Sequence, residues 1–360
     1  FLREQGGERE VEELKRDFSA AAETESGGAQ ASSLSPSGRK KKKFKWDVNY
    51  YGILFVIPFF VVYAIFSAYP MVYSIFLSLT DYAGYNRDIN VIGFENFTYL
   101  LDQPRFWQAF LNTVLMFLMT FAPQLCFGLL FAAMFTSKTY KMKLKGMFKG
   151  VYYLPNIITA TSVAVMFYTL FQQSSGGMWR VLIQLGIIEA GYNLYLHEWP
   201  SRILVAFISF WQWFGSTMVT LSAGILGINP AVYEAAELDG ANQRDVFFRI
   251  TLPIIRPIVV YCVVTSTIGG LQGFDIAYLF LGGGPSLSGG RYATETIAVY
   301  IYKMAFDTGG EMKYNVASAA SVYLFIVCMV VSVLLFRLTN VNEEKQAKRA
   351  EKRIWGGERA

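Results

Sequence analysis

The segment "EAAELDGANQRDVFFRITLPIIRP", from Glu234 to Pro257, is the most polar long stretch in the second half of this chain. Apolar runs lie on both sides of it: residues 203–233 carry no charge, and residues 257–290 carry only that of Asp275. Each run exceeds the ~20 residues that a helix needs to cross a bilayer. An ordinary connection between two spans would be shorter and without structure of its own, so this polar segment calls for a specific explanation.

Residues that start and stop helices divide the segment into two short helices. Asn229 suits an N-cap, Pro230 suits the first helical position, and Gly240 suits a left-handed C-terminal stop. The stretch "ANQRDVFFRITLP" predicts a second helix that ends before Pro253 and carries one apolar face, formed by Val246, Phe247 and Ile250. Helices shorter than ~12–15 residues are unstable alone. Either the membrane helices or a partner must therefore hold the pair in place.

The composition predicts an all-α integral membrane protein. Of the 360 residues, 53% are hydrophobic and 16% are charged, whereas about a quarter of the residues of soluble domains are charged. A soluble helical core would need charged outer faces at the helical period, and the apolar runs have none. Six runs are long enough to be transmembrane helices: 48–80, 106–137, 150–179, 203–233, 257–290 and 314–336.

The basic residues predict the orientation of these spans. Twenty-five of the 32 lysine and arginine residues lie in the two tails, in the loop after the second span and in the polar loop. Because lysine and arginine concentrate on the cytoplasmic side, both termini and the polar loop are expected there. The net charge of +5 follows from this topology and gives no indication of a nucleic acid partner. The basic cluster at 39–45 also suits contact with membrane lipid headgroups.

Three regions follow from this pattern. Residues 1–48 are expected to form a cytoplasmic N-terminal tail, partly disordered and basic near the membrane. Residues 49–338 are expected to form the six-helix transmembrane domain, with the polar loop at 229–257. Residues 339–360 are expected to form a cytoplasmic C-terminal tail. The first apolar run is too long for a signal-peptide core, so we interpret it as a retained span.

The sequence contains few residues that could form a catalytic, metal-binding or nucleotide-binding site. Three cysteines lie within apolar runs, and the chain has a single histidine, so no metal site is expected. The glycine-rich stretch "LGGGPSLSGGRYATET", residues 281–296, lacks the lysine and Ser/Thr that complete a phosphate-binding loop. The chain is therefore not expected to bind a cofactor, to hydrolyse ATP or to be an enzyme by itself.

The polar segment resembles the EAA loop of the permease subunits of binding-protein-dependent ABC importers. The resemblance rests on Glu234-Ala235-Ala236, on Asp239-Gly240-Ala241, and on Ile250, Leu252-Pro253 and Pro257. Four further stretches are similar to the carbohydrate branch, which includes maltose, multiple-sugar and glycerol-phosphate permeases: "YYLPNIITATSVAVMFYTLF", "GFDIAYLFLGGGP", "ATETIAVYIYKMAF" and "YNVASAASVYLF". The resemblance runs from about Tyr50 to Leu338. The long N-terminal tail departs from it, and we expect neither the extra leading helices nor the large periplasmic insertion of maltose-type members.

The resemblance implies a MetI-like ABC permease fold with cytoplasmic coupling helices. The chain would be the permease subunit of an ATP-driven importer of sugars or oligosaccharides in the bacterial inner membrane. It would work with two ATPase subunits that hold ATP and Mg, a second and related permease half, and an extracytoplasmic sugar-binding protein. The residues that couple to the ATPase would be Glu234, Ala235, Ala236, Asp239 and Gly240. Glu234 would face a basic residue of the ATPase, the alanines would permit close approach, and Gly240 would make the turn.

The same resemblance places the substrate path on spans four and five, although the residue types differ from those of the maltose-type relative. Hydrogen-bonding and aromatic side chains there are the candidates for sugar contact: Ser209, Gln212, Trp213, Ser216 and Gln272. Asp275 fits either a buried functional acid or a solvated helix cap.

Two alternative functions, a secondary transporter and an integral-membrane enzyme, would require other sequence features. A secondary transporter would show ionisable residues in mid-span and an inverted repeat, and only Asp275 meets the first condition. An integral-membrane enzyme would need a convergent acid–base or metal set. Transport measured with and without the ATPase partner separates all three.

Overall fold

The computed structural model describes residues 50–84, 89–137, 143–306 and 312–356. The predicted N-terminal tail, 1–48, and its basic cluster lie outside the described residues. The chain divides into two units between residues 59 and 60. The described part of the first unit is the start of one helix, and the remainder of the fold belongs to the second unit.

The described residues form helices joined by short turns, together with one small hairpin. The α-helices are α1 (Tyr50–Tyr63), α2 (Tyr69–Ser78), α3 (Glu95–Leu101), α4 (Pro104–Thr136), α5 (Lys145–Ile157), α6 (Ala160–Phe171), α7 (Gly177–Gln184), α8 (Glu198–Leu226), α9 (Pro230–Leu238), α10 (Gln243–Asp245), α11 (Leu252–Ile254), α12 (Arg256–Leu271), α13 (Asp275–Leu281), α14 (Ile297–Phe306) and α15 (Tyr314–Gly356). The hairpin strands are β1 (Ser286–Leu287) and β2 (Arg291–Tyr292). Two π-helical segments, Ala64–Ala68 and Val246–Thr251, and a 3₁₀ turn, Leu194–Leu196, connect neighbouring helices.

By length and composition, four helices of the described chain can cross a membrane, and the number rises to six if each of two bent helix pairs is one span. Four are single helical runs: Leu54–Ser78, α4, α8 and the Tyr314–Arg337 part of α15. The other two are bent pairs, each counted as one span: α5 with α6, and Gln243–Ile254 with α12. The predicted all-α architecture with six spans is confirmed in this form. The last helix also continues to Gly356, through most of the segment expected to be the C-terminal tail.

The third span is bent by 95° between α5 and α6. Ile158 and Thr159 are extended, and the Thr159 hydroxyl caps α6 by accepting from the Ser162 amide (3.4 Å). A capped N-terminus starts a new helix with its own direction. The apolar run at 150–179 is thus divided between two helix axes.

The second helix of the polar loop extends further than the sequence predicts. It was expected to end before Pro253, but the helical backbone continues through this proline to Ile254. Proline normally ends a helix because it lacks an N–H and its ring clashes with the carbonyl of the preceding turn. Here the preceding turn, Val246–Thr251, is π-helical, and such a turn changes the hydrogen-bond pattern in front of the proline. The bend of 67° follows after Ile254, before α12 begins.

Helices α4 and α8 form the centre of the bundle, and one end of it carries the hairpin. A buried ion pair holds the hairpin segment: Glu295, 1% exposed, accepts from the Arg105 guanidinium at 2.9 and 2.7 Å. Arg202 donates to the Ala293 carbonyl (2.9 Å) and to Asn112 (2.8 Å). We call this end the hairpin end, and the opposite end, where α9 lies, the loop end.

Candidate functional site

A cavity of about 510 Å³ lies between α4, α8, α12 and the turn that leads into α13. This volume falls in the range of ligand pockets, about 300–1,000 Å³. On α8 its wall extends from Val205 to Thr220, which corresponds to roughly 22 Å at the helical rise of 1.5 Å per residue. The cavity therefore follows the long axis of the central helix pair.

All five residues predicted for the substrate path line this cavity: Ser209, Gln212, Trp213, Ser216 and Gln272. On α8, Gln212 and Trp213 are adjacent and each lies three or four residues from Ser209 and Ser216, so the four share one face of the helix. Gln272 follows the last turn of α12 and completes the wall from the other side. The geometry brings these residues together, and contact with a substrate stays a prediction.

Two of these side chains differ in accessibility. Trp213 is 52% exposed and offers an aromatic surface, whereas Gln212 is 7% exposed and donates to the Ile158 carbonyl (3.4 Å) at the bend of the third span. Gln212 therefore also joins α8 to α5. Its replacement would change helix packing as well as the cavity wall.

Gln124 was missed by the sequence analysis. Its amide nitrogen donates to the Thr217 hydroxyl (2.8 Å) and to the Ser266 hydroxyl (3.3 Å), so it joins α4, α8 and α12. All three residues line the cavity. An amide in mid-span is costly unless it is paired, and the glutamine within the apolar stretch "FAPQLCF" was the available signal.

Aromatic rings complete the wall. Phe117 and Phe121 of α4 stack with their centroids 5.2 Å apart, and both line the cavity, as does Phe274. Their apolar faces alternate with the hydroxyl and amide groups of the same wall. A ligand with both apolar faces and hydroxyl groups would match this surface.

Asp275 combines features of both sequence interpretations. It is exposed and occupies the first turn of α13, as a solvated cap would. It also lines the cavity. A carboxylate in the first turn is stabilised by the positive end of the helix dipole. In the described chain the side chain is exposed, which agrees with a solvated cap and not with a buried acid.

The polar loop carries the helix stops that the sequence predicts. The Asn229 side chain accepts from the Ala231 amide (3.0 Å), and Pro230 is the first residue of α9. Gly240 is left-handed, with φ +75°. The Gly240 amide bonds to the Glu237 carbonyl (3.1 Å) and the Ala241 amide to the Ala236 carbonyl (3.0 Å), which is the Schellman pattern.

The five predicted coupling residues divide between two faces. Glu234, Ala235, Asp239 and Gly240 are exposed, whereas Ala236 is 6% exposed and belongs to the buried side of α9. Tyr233, one turn earlier on the same face, shares a hydrogen bond with Thr251 of the second loop helix (3.2 Å). Ala236 therefore faces this chain, and Ala235 is the alanine that faces outward.

A sequence profile of the family described as "Binding-protein-dependent transport system inner membrane component" matches residues 103–345. The chain belongs to this family. The matched region contains the polar loop, the cavity and five of the six spans. The chain is therefore a multi-pass membrane protein of the permease family.

Curated relatives cover most of the chain. The lactose transport system permease protein LacF of Rhizobium radiobacter is 29% identical over 303 residues, which is 84% of this chain and 97% of that protein. The sulfoquinovosyl glycerol transport system permease protein SmoG of Agrobacterium fabrum is 30% identical over 297 residues, 81% of this chain and 91% of that protein. These relatives belong to the carbohydrate branch of the permeases.

A solved structure shows the same fold. A chain of a bacterial ABC transporter involved in the import of the acidic polysaccharide alginate superposes with a TM-score of 0.68. The match covers 81% of this chain and 95% of that chain at 24% sequence identity. At this identity the likeness supports the fold alone.

Proposed function

We propose that this chain is the transmembrane permease subunit of an ATP-driven ABC importer of sugars or oligosaccharides. The observation that carries the proposal is the family match across residues 103–345, which includes both the polar loop and the cavity wall. Relatives named for the transport of lactose and of arabinooligosaccharides support a carbohydrate substrate.

The polar loop would be the coupling element. Glu234 and Ala235 on the short capped helix α9, with Asp239 and Gly240 in the turn that ends it, form an exposed surface. Small residues on one face suit docking into a groove, and an exposed carboxylate can fix the position of the docked helix against its partner. In this proposal the loop lies in the cytoplasm, as do both termini, and it docks on one of two ATPase subunits that bind ATP and Mg.

The remaining partners would complete the path. A second, related permease half would close the open side of the cavity, and an extracytoplasmic binding protein would deliver the sugar. A solved alginate transporter contains such a protein, a periplasmic protein bound to an alginate pentasaccharide. The six spans would lie in the bacterial inner membrane.

The test is uptake into vesicles that contain the purified complex, with and without the ATPase subunits. Sugar uptake should require the ATPase, the binding protein and ATP together, and this chain alone should hydrolyse no ATP. Uptake that is driven by an ion gradient in the absence of the ATPase would indicate a secondary transporter. Chemical conversion of the sugar by the chain alone would indicate an enzyme. Either result would overturn the proposal.

A further inference from the structure

We infer that the cavity takes uncharged sugars or oligosaccharides and discriminates against acidic ones. This inference rests on the proposed function and names the substrate class of the same site. The observations that carry it are the chemistry of the cavity wall, the position of one carboxylate, and the way in which nearby cations are held.

The cavity wall is rich in neutral groups that both donate and accept hydrogen bonds. Six of them represent the three helices and the turn: Gln124, Ser209, Gln212, Ser216, Ser266 and Gln272. Hydroxyl and amide groups can match sugar hydroxyls in either direction. Gln124 uses its amide nitrogen for both of its helix-joining bonds, which leaves its amide oxygen to accept from a ligand hydroxyl.

The charged residue among the described residues of this wall is Asp275. A carboxylate in a cavity with low-dielectric walls creates a negative potential that extends along the cavity, because such walls focus the field. An acidic sugar would meet repulsion at this position. It would also leave water for a wall whose described residues include no lysine, arginine or histidine, and unpaired charges inside membranes are expensive.

Cations at the hairpin end are committed to other partners. Arg105 makes two hydrogen bonds to Glu295, and Lys303 lies 3.5 Å from the same carboxylate. Arg202 pairs with Glu198 and donates to the Ala293 carbonyl and to Asn112. None of these cations lines the cavity in the described part of the chain. Glu295 and Glu198 neutralise much of their charge, and the contacts they make hold the hairpin segment instead of the cavity wall.

The experiment compares neutral and acidic probes on the purified permease–ATPase complex without the binding protein, so that the transmembrane cavity selects, and variants of this chain isolate the contribution of its own wall. The probes are neutral di- to pentasaccharides of several sugar types and the uronate counterparts of the same lengths. Affinity is measured by equilibrium titration at low and at moderate salt. We expect at least one neutral sugar to bind roughly tenfold more tightly than its uronate, with a larger ratio at low salt, where screening is weaker.

Three variants test whether the ratio of neutral to acidic sugar affinity depends on the Asp275 carboxylate. Asp275→Asn should reduce the neutral-to-acidic ratio at least threefold, and Asp275→Glu should preserve it. Asparagine is accepted at helix starts, so the α13 turn should be retained. The matched control is Asp102→Asn, which removes an exposed carboxylate away from the cavity and should leave the ratio unchanged.

The inference is overturned if the uronates bind as tightly as the neutral sugars, if Asp275→Asn leaves the ratio unchanged, or if neither class binds to the complex. The proposed function is tested separately, by ATP-dependent uptake with the binding protein present. A complex that shows ATP-dependent uptake but binds neutral and acidic sugars equally well would contradict this inference without contradicting the proposed function. Loss of all ATP-dependent uptake would count against the function itself.

Discussion

Glu234 is the residue on which the coupling proposal can be tested most directly. Its side chain is exposed on α9, between the Asn229 cap and the Gly240 turn. The change Glu234→Lys would place a positive charge against the basic residue expected on the ATPase. We predict that uptake falls roughly tenfold or more, which corresponds to about 1.4 kcal/mol, while the melting temperature of the complex stays close to that of the wild type.

The control for Glu234→Lys is the same charge reversal at an exposed residue away from the loop, Glu189→Lys. Uptake and ATP hydrolysis should both be measured on purified complex of verified subunit content. Normal uptake by the Glu234 variant, in a complex with normal assembly, would show that this carboxylate has no part in coupling.

Gly240 tests the turn between the two loop helices. It has φ +75°, and a Cβ atom there would meet nothing within 4 Å. A substitution would therefore act through backbone strain alone, about 1–2 kcal/mol for residues that avoid the left-handed region. Gly240→Val should uncouple ATP hydrolysis from uptake, and Gly240→Asn should retain most activity, because asparagine tolerates this conformation. Equal uptake by the two variants would contradict the assigned role.

At this scale, predictability from sequence depends on how local an interaction is. The roles of Asn229 and Gly240 follow from neighbours within a few residues, so sequence patterns predict them. The partners Arg105 and Glu295 lie 190 residues apart. Nothing in the local sequence of either residue indicates the other.

Among the helices, the crossing of α8 and α5 depends on one glycine. A Cβ atom on Gly215 would clash with the Tyr152 carbonyl oxygen, a backbone atom that cannot turn aside. We predict that Gly215→Ala separates the two helices and lowers the stability of the complex by about 1–3 kcal/mol, as overpacking does. Thermal unfolding in detergent would measure this change.

The matched control is Gly146→Ala on α5, where a Cβ atom would meet nothing within 4 Å. Alanine is favoured over glycine inside a helix by roughly 0.5–1 kcal/mol, so this variant should be as stable as the wild type or more so. If the Gly215→Ala and Gly146→Ala complexes had the same melting temperature, close packing at this crossing would not be required.

The existence of the helices could be predicted, but their bends could not. Long uncharged runs reveal spans because lipid tolerates few charges. The break at Ile158–Thr159 and the π-helical turn before Pro253 depend on how neighbouring helices pack, for example on the approach of Tyr152 to Gly215. Short-range patterns carry little of that information.

At the scale of the whole molecule, the cavity exists because α4, α8 and α12 meet along one line. The family resemblance predicts a path on spans four and five, and all five candidates there line the same cavity. The contribution of α4, through Phe117 and Gln124, was not predicted. Which residues of α4 line the cavity depends on which face of this largely apolar helix points inward, and only the tertiary structure determines that orientation.

The last prediction tests whether this shared wall is the sugar path. Trp213→Ala and Gln272→Ala should each raise the sugar concentration needed for half-maximal uptake, or lower sugar-stimulated ATP hydrolysis, with expression and assembly near normal. A lost hydrogen bond from Gln272 should cost about 1 kcal/mol, or 2–3 kcal/mol if a buried partner is left unpaired. Kinetics in vesicles, at fixed binding-protein concentration, give both quantities.

The control is Tyr168→Phe on α6, which removes a hydroxyl from a residue that does not line the described cavity. The Tyr168 ring stacks on Tyr195 at 5.0 Å, and its backbone carbonyl accepts the Tyr195 hydroxyl, so the substitution retains both contacts. If this variant impaired uptake while the Trp213 and Gln272 variants were silent, the path would lie on other helices. The opposite result would place the sugar against α8 and α12, since a wall that only packs would not change uptake kinetics while assembly stayed normal.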